Sequence, residues 1–382
     1  MTRELTVAQI EPVGGHGGMH YYDLGLARGL TGAGVRVLLF TSSLGELEDW
    51  PRRRFEASTP FAGSYGDAPR WLRGLRFARA LSKSLRSARR RGADLVHLHS
   101  FGGDATERLA LRGAHRSGLA IVVTVHDVAS LAGGSSAAGG GSVVRGADAL
   151  IVHNRTCRDE IAPAAADLPI EVVPHGHYLH AAERVARDAA RRELGLDAAA
   201  PTALFFGQIK RTKGLDVLLD AMPSVVERCR GARLVIAGRA WKDDVGPYRE
   251  RIRARGLEDA VELRHGFVAD SEVPLLFGAA DLVVLPYRRV YQSGVLLMAM
   301  SYGRAVLTSD LPAMRETVRD GENGFLFRDG DAAHLAGRLI DLLPRRELLD
   351  ATAEAGLRQL AEHHDWGLVG ERTADLYRRL VV

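Results

Sequence analysis

Two α/β units in tandem, each a parallel sheet wrapped by helices, are predicted by three features of the chain. Short apolar runs rich in Val, Ile and Leu recur between helical patterns, as strands buried on both faces do. The series restarts after residue 200. The 382 residues exceed one ordinary core and suit two domains of usual size.

In chain order the first half reads as the strands "LTVAQI", "VRVLLFT", "DLVHLHS", "AIVVTVHD", "ALIVH" and "IEVVPHG". The second reads as "TALFFGQ", "ARLVIAG", "VELRHG", "DLVVLP" and "AVLTSD". Between them, "YLHAAERVARDAARRELGLDAAA" has no strand signal and is expected to be a linker with a short helix. The early "VGGHGGMHYYDLGLARGL" sets two glycine pairs before an apolar helix carrying Leu24, Ala27 and Leu30 at helical spacing. It is either a tight strand-to-helix turn or an anion seat at a helix N-terminus. The run "LAGGSSAAGGGS" at 131–142, after "TVHDV", reads as a mobile loop, a tolerated insertion or a lid.

Hydrophobic residues at 46% and charged residues at 26% place the chain among soluble globular proteins. The net charge of +4 is compatible with anionic small molecules or membrane surfaces. Aromatics at 6% and no base-reading motif argue against nucleic acid. Cys157 and Cys229 lie far apart without metal-ligand spacing, so no disulfide and a reducing compartment are expected. A strand-like start without a charged leader, and no run of membrane-spanning length, point to a cytoplasmic protein.

The chemistry concentrates at strand ends. In "FFGQIKRTKGLDVLLDAM", Gly207 allows close backbone approach, and Lys210, Arg211 and Lys213 gather just before a helix that begins near Gly214. Cations there oppose the helix dipole unless an anion sits between them, which favours a phosphate site over a solvated charge run. "DLVVLPY", "SGVLLMAMSYG" and "AVLTSD" form one βαβ unit, with Ser293 and Gly294 at the helix start. Ligands of open α/β sheets bind beyond the carboxyl ends of strands, so both loops are expected to face one cleft between the domains.

Several histidines invite a role. His126 ends an otherwise apolar strand and could act as a base, a sugar clamp or a helix cap. His97 and His99 alternate along their strand and are expected to point to opposite faces, so that both do not enter one site. His175, His177 and His180 read as a hinge segment rather than a metal site. In "RWLRGLRFARALSKSLRSARRR", Arg76, Arg79, Lys83, Arg86 and Arg90 share one helical face, with Leu75, Ala78, Leu81 and Leu85 on another. This basic helix at 70–91 is either a peripheral contact with an anionic membrane or a solvated outer helix.

Taken together, "GGMHYYDLGLARGL", "DLVHLHS", "TVHDV", "VVPHG", "FFGQIKRTKGLDVLLDAM", "VELRHGFVADSEVPLLFGAADLVVLPY", "QSGVLLMAMSYGRAVLTSDLPAMRETV" and "DWGLVGERTADLYRRL" resemble glycosyltransferase family 4, with the GT-B fold. The resemblance implies two Rossmann-like domains facing a central cleft: 1–176, binding the acceptor, and 177–362, binding the nucleotide-sugar, with a last helix at 363–382 crossing back. It implies retaining transfer of a hexose-type sugar from a UDP- or GDP-type donor to a hydroxyl of a glycan, lipid-linked or small natural-product acceptor. Neither a metal nor another cofactor is implied.

By the same resemblance, Lys210 and Lys213 pair with the donor diphosphate, and the amides of Ser293, Gly294 and Val295 hold it from the helix start. Gly207, Gln208 and Gln292 belong to the donor contacts, and Phe267 and Val268 border the nucleobase. His126 lies against the donor sugar. Gly17 and Gly18 lie near acceptor and phosphate, with His99 and Asp127 on the acceptor side.

Two departures stand out. The family's two glutamates, eight positions apart, are replaced by Val290 and Met298, and its arginine after the lysine-loop glycine by Gln208, as in a "QSGVL" branch. A thioether at Met298 cannot make a carboxylate's hydrogen bonds to a ribose diol. The missing acids support one rival, a non-catalytic partner or regulatory protein with this fold. A nucleotide-sugar epimerase or phosphorylase is another.

Overall fold

The computed structural model describes residues 4–15, 19–44, 55–64, 68–128, 144–165, 167–240 and 244–381. The chain divides into two compact units, Met1–Gly176 with His363–Val382, and His177–Glu362. Among the described residues no helix is long and apolar enough to cross a membrane.

The first unit is a seven-stranded sheet of order β3-β2-β1-β4-β5-β6-β7. Its strands are β1 Thr6–Glu11, β2 Arg36–Thr41, β3 Phe55–Ser58, β4 Leu95–Ser100, β5 Ala120–Val125, β6 Ala149–Val152 and β7 Ile170–Val172. All ladders are parallel, and β1, β4 and β6 are buried along their whole length, as their apolar runs require. The strand β3 escapes the sequence reading because "FEAS" is only half-buried at alternate positions and forms no apolar run.

Helix α1, Met19–Gly32, packs against the last helix, α13, Trp366–Val381, closely enough that only glycine fits. A Cβ on Gly29 would lie 1.9 Å from the Trp366 carbonyl oxygen, and one on Gly370 would lie 2.0 Å from the Gly29 carbonyl carbon. Gly25 and Gly176 make room for the Trp366 indole. The last helix thereby joins the core of the first unit.

Helix α2, Arg70–Arg90, buries Phe77, Ala80, Leu81, Ser84, Leu85 and Ala88. Arg76, Arg79, Lys83, Arg86 and Arg90 are exposed, as their spacing predicts. Leu75 departs from the predicted apolar face: it is 40% exposed, one turn from Trp71 at 72%. Helix α3, Ala105–Ser117, starts on Asp104, which accepts from the amides of Thr106 and Glu107, and stops at Gly118 in the left-handed region. A short helix α4, Arg155–Ile161, is capped by Asn154.

The second unit has a six-stranded parallel sheet of order β10-β9-β8-β11-β12-β13. The strands are β8 Thr202–Phe206, β9 Arg233–Gly238, β10 Val261–His265, β11 Leu282–Leu285, β12 Ala305–Ser309 and β13 Phe325–Phe327. The three-residue edge strand β13 was not anticipated either, because "FLF" stands alone between the polar stretches "DGENG" and "RDGD". The helices are α5 Arg187–Leu194, α6 Leu215–Arg228, α7 Gly246–Ala254, α8 Val273–Ala279, α9 Gly294–Ser301, α10 Pro312–Arg315, α11 Ala332–Leu342 and α12 Arg346–His363.

The expected linker is more firmly held than its composition suggests. Arg191 of α5 is wholly buried, donating to the Ala279 carbonyl at 2.9 Å and to Asp281 at 2.7 Å. Asp281 also accepts from the Thr202 amide, so α5 is tied to the start of the second sheet.

Candidate functional site

In the second unit the predicted phosphate loops lie at the carboxyl edge of neighbouring strands, since β8 and β11 pair directly. After β8 the chain turns through Gly207, at φ +108°, whose added Cβ would meet Val295 Cγ2 at 3.2 Å. The lysine loop and the start of α9 therefore touch. Gly238, at φ +151°, backs this turn; a Cβ there would sit 1.8 Å from the Gly207 carbonyl oxygen.

Lys210 precedes a 3₁₀ turn, Arg211–Lys213, that ends at Gly214 in the left-handed region. A Cβ on Gly214 would lie 1.8 Å from the Pro286 carbonyl oxygen, and the Arg288 amide donates to the Thr212 carbonyl at 2.9 Å. The lysine turn is thus pinned to the segment leaving β11. Lys213 Nζ lies 3.6 Å from the centroid of the buried Tyr287 ring, a cation–π seat that aims the ammonium without neutralising it. Among the described residues Lys213 has no carboxylate partner. Gln208 is exposed, and Lys210 is half-buried.

Ser293 caps α9: its Oγ accepts from the Leu296 amide at 3.2 Å. The amides of Gly294 and Val295, first in the helix, have no carbonyl in a preceding turn. Gly294 lies against Tyr178, whose Oη would be 2.8 Å from an added Cβ. Leu296, Leu297 and Met300 are core, whereas Gly294, Val295 and Met298 are half-buried on the open side. Gln292 Nε2 is buried without a hydrogen-bond partner among the described residues. Phe267, beyond β10, is 80% exposed, and Val268 is half-buried.

Beside this turn lies a cavity of 540 Å³ lined by Arg211, Asp216, Asp244, Pro247, Tyr248, Arg251 and Arg288. Arg288 is paired with Asp216 at 2.6 Å and Arg251 with Asp220 at 2.7 Å. Those two cations are already compensated, so the cavity is a weaker anion seat than the Lys213 edge.

In the first unit, four successive strands deliver histidines to the same end of the sheet. His97 and His99 belong to β4, His126 follows β5, His153 follows β6, and His175 follows β7. The expectation that His97 and His99 point apart is wrong. Residues two apart on a strand share a face, and the two rings stack at 4.9 Å. His97 Nδ1 meets Tyr377 Oη at 2.5 Å, and its Nε2 meets Thr124 Oγ1 at 2.7 Å. The Tyr22 ring stands edge-on to His99, His126, His153 and His175.

Burial lowers the pKa of the whole set, to about 3 for His97 and His175 and to about 4 for His153, with neighbouring histidines adding to the effect at His97 and His175. His99 and His126 are held well below the usual range for the same reasons. They are neutral imidazoles at pH 7. Asp127 and His126 are half-buried. His175 belongs to this cluster, whereas His177 and His180 fall in the second unit, ring centroids 6.2 Å apart. Among the described residues no group of three or more His, Cys, Asp or Glu is arranged to hold a metal ion.

A smaller cavity of 220 Å³ in this unit is lined by apolar residues including Ile10, Leu98 and Val123, and by His99, Glu11 and Glu107. Glu11 accepts from the amides of Val13 and Gly14 at 2.9 and 2.6 Å, which ties down the start of the glycine loop. Burial pushes its carboxyl up to about 7, and Asp23 is raised by burial and by Glu11. Gly17, Gly18 and the 131–142 loop lie outside the described residues.

Sequence reasoning missed Tyr22, Tyr178, Tyr287, His153 and the Glu11–Asp23 pair. One signal was available for His153: "HLHS", "VHD", "VHN" and "PHG" close four consecutive strands, a histidine at each end.

Comparison with known proteins adds the following. Residues 16–180 match the model described as Glycosyltransferase Family 4, and residues 200–345 the one described as Glycosyl transferases group 1. The chain is 31% identical over 250 residues to the alpha-D-kanosaminyltransferase of Streptomyces kanamyceticus, covering 62% of each chain. It is 28% identical to the D-inositol 3-phosphate glycosyltransferase of Kineococcus radiotolerans, over 96% of this chain and 92% of that protein. Its fold is that of Anabaena HepE, solved in complex with UDP and glucose, with TM-score 0.75 and 18% identity over 98% of this chain and all of that one.

Proposed function

We propose, from the premise that this chain belongs to glycosyltransferase family 4 and has the GT-B fold, that it moves a hexose-type sugar from a nucleoside diphosphate to an acceptor hydroxyl with retention of configuration. The observation that carries the reading is the edge where β8 and β11 meet. A lysine that has no carboxylate partner among the described residues and the first amides of α9 converge there, held by turns at Gly207, Gly214 and Gly238 where a Cβ would be strained.

A diphosphate leaving group gathers negative charge as its bond to the sugar breaks. Lys210, Lys213 and the amides of Gly294 and Val295 offset that charge, in the place where a divalent cation could otherwise serve. Gly207, Gln208, Gln292, Ser293 and Met298 complete the donor surface, and Phe267 with Val268 offers the nucleobase a stacking edge. As the acceptor oxygen bonds to the anomeric carbon on the face the diphosphate leaves, the hydroxyl proton departs with the diphosphate. The first unit supplies the acceptor side, with His99, Asp127, Gly17 and Gly18 in that role and His126 against the donor sugar. The UDP of the HepE complex is in keeping with a UDP-type donor.

Two further readings of partner and place go with this one. The protein acts in the cytoplasm. Helix α2 contains no Asp or Glu and exposes Trp71 and Leu75 among arginines, which suits an anionic membrane surface. Trp71→Ala should then weaken sedimentation with anionic vesicles; equal binding to neutral vesicles removes that contact.

The decisive experiment incubates the protein with UDP- and GDP-sugars and an acceptor panel, and repeats it with Lys213→Ala. Turnover should fall about 10²–10³-fold, as on loss of one preorganised donor to a developing anion. The fold should change much less, since a part-buried cation–π contact contributes about 1–2 kcal/mol. Unchanged turnover would falsify the lysine's role. An epimerised sugar, or sugar phosphate formed from phosphate, identifies a rival enzyme, and no thermal shift with any nucleotide supports the non-catalytic partner.

A further inference from the structure

The histidine cluster of the first unit contains a hydrogen-bonded chain whose direction can be read from one end. His153 Nδ1 lies 3.1 Å from the Val173 carbonyl oxygen, and a carbonyl can only accept. His153 Nδ1 therefore carries the proton, and in a neutral ring Nε2 is left as an acceptor. That nitrogen lies 3.2 Å from His126 Nδ1, which must donate. His126 Nε2 is then an acceptor, 3.0 Å from His99 Nδ1, which must donate in turn. The chain ends at His99 Nε2, a lone pair that is buried and has no hydrogen-bond partner among the described residues. His99 is itself more than nine-tenths buried and lines the 220 Å³ cavity.

We propose that His153, anchored on the Val173 carbonyl, is a positioning residue that fixes the tautomers of His126 and His99, so that His99 Nε2 is the ring nitrogen presented to a substrate hydroxyl. Both nitrogens of His126 are consumed within the chain, so that ring meets a sugar through its carbon edge and its stack on Phe101, at 4.8 Å between centroids. The chain is not a proton shuttle, because its far end is a carbonyl that accepts no proton near neutrality. It is a tautomer lock, and it leaves one buried acceptor, His99 Nε2, that requires a donor. The ligand class is a polyol or sugar hydroxyl. This assignment rests on the transferase reading only for the identity of that hydroxyl as the acceptor's.

The test is ¹⁵N NMR of the ligand-free protein with labelled histidine. His99, His126 and His153 should all appear as neutral Nδ1–H tautomers at pH 7. An Nε2–H form, or a mixture, at His126 or His99 overturns the proposal. His153→Phe should convert His126 to a mixture of tautomers, and His153→Gln, whose amide oxygen can take the place of Nε2, should restore a single form. An unchanged His126 signal in the Phe variant also overturns it; if that variant fails to fold, the wild-type and Gln spectra decide. Glycerol, added as the smallest polyol probe to molar concentration, should shift His99 Nε2 and leave both His126 nitrogens in place. The reverse pattern, or an unmoved His99 Nε2, removes the presenting role. None of these spectra depends on sugar transfer, so they stand apart from any failure of the enzymatic reading.

Discussion

Acid should loosen the first unit well before it titrates ordinary carboxylates, and His97 allows the size of the effect to be worked out. Its folded pKa is depressed from 6.5 to about 3. Between those values the unfolded chain binds a proton that the folded protein refuses, so stability falls as pH drops below 6.5. Each pH unit is about 1.36 kcal/mol, so by about pH 5 the group has withdrawn about 2 kcal/mol. His153 and His175, at about 4 and about 3, add similar amounts. Glu11 acts the other way. Its folded pKa is raised to about 7, so the penalty for ionising it is relieved as pH falls towards 4.5, and Asp23 acts in the same direction.

The opposing acids are cancelled by comparing the wild type with His97→Gln, which keeps an amide for Tyr377 and Thr124 but has nothing to titrate. Urea unfolding followed by circular dichroism should show the gap between the two proteins shrinking by about 2 kcal/mol from about pH 7 to about pH 5. Parallel curves would show that His97 takes up a proton equally in both states, and would refute the neutral, buried ring.

Met298→Glu should tighten UDP or GDP binding about 10-fold or more in calorimetry, because a carboxylate on the half-buried face of α9 can take a ribose hydroxyl for about 1.5–3 kcal/mol. Unchanged affinity would separate Met298 from the ribose. Phe267→Ala should weaken the same nucleotides by about 1–3 kcal/mol of base stacking while Tm stays put, since the ring is 80% exposed; a fall in Tm without a change in affinity assigns it to packing. Gly29→Ala should destabilise by about 1–3 kcal/mol, its methyl meeting the Trp366 carbonyl, and scanning calorimetry showing no change would contradict the close helix approach.

Much of this fold was legible because parallel strands buried on both faces write themselves as apolar runs. The edge strands Phe55–Ser58 and Phe325–Phe327 were not: the first is nowhere fully buried and forms no apolar run, and the second is three residues set between polar loops. Within the candidate site, the lysine turn and Ser293 were visible because their chemistry is local: cations before a helix, a hydroxyl at its start. Tyr287 beneath Lys213 and Tyr178 beside Gly294 were invisible, as each comes from another part of the sequence and meets its partner only through the tertiary fold. The face shared by His97 and His99 follows from the strand repeat itself, and misreading it hid the cluster. No local pattern reveals that Val173 orients three rings, because the determining atom is a backbone carbonyl.

The packing of Trp366–Val381 onto α1 also makes the two units unlike in how the sequence builds them. The second unit is one continuous segment, 177–362. The first unit is discontinuous, drawing Trp366, Val369 and Tyr377 of its core from beyond that segment. Tyr22 and His97 therefore take Trp366 and Tyr377 as neighbours from the far end of the sequence, Tyr377 being 280 residues from His97, and closing so long a loop adds an entropic cost that grows only slowly with its length.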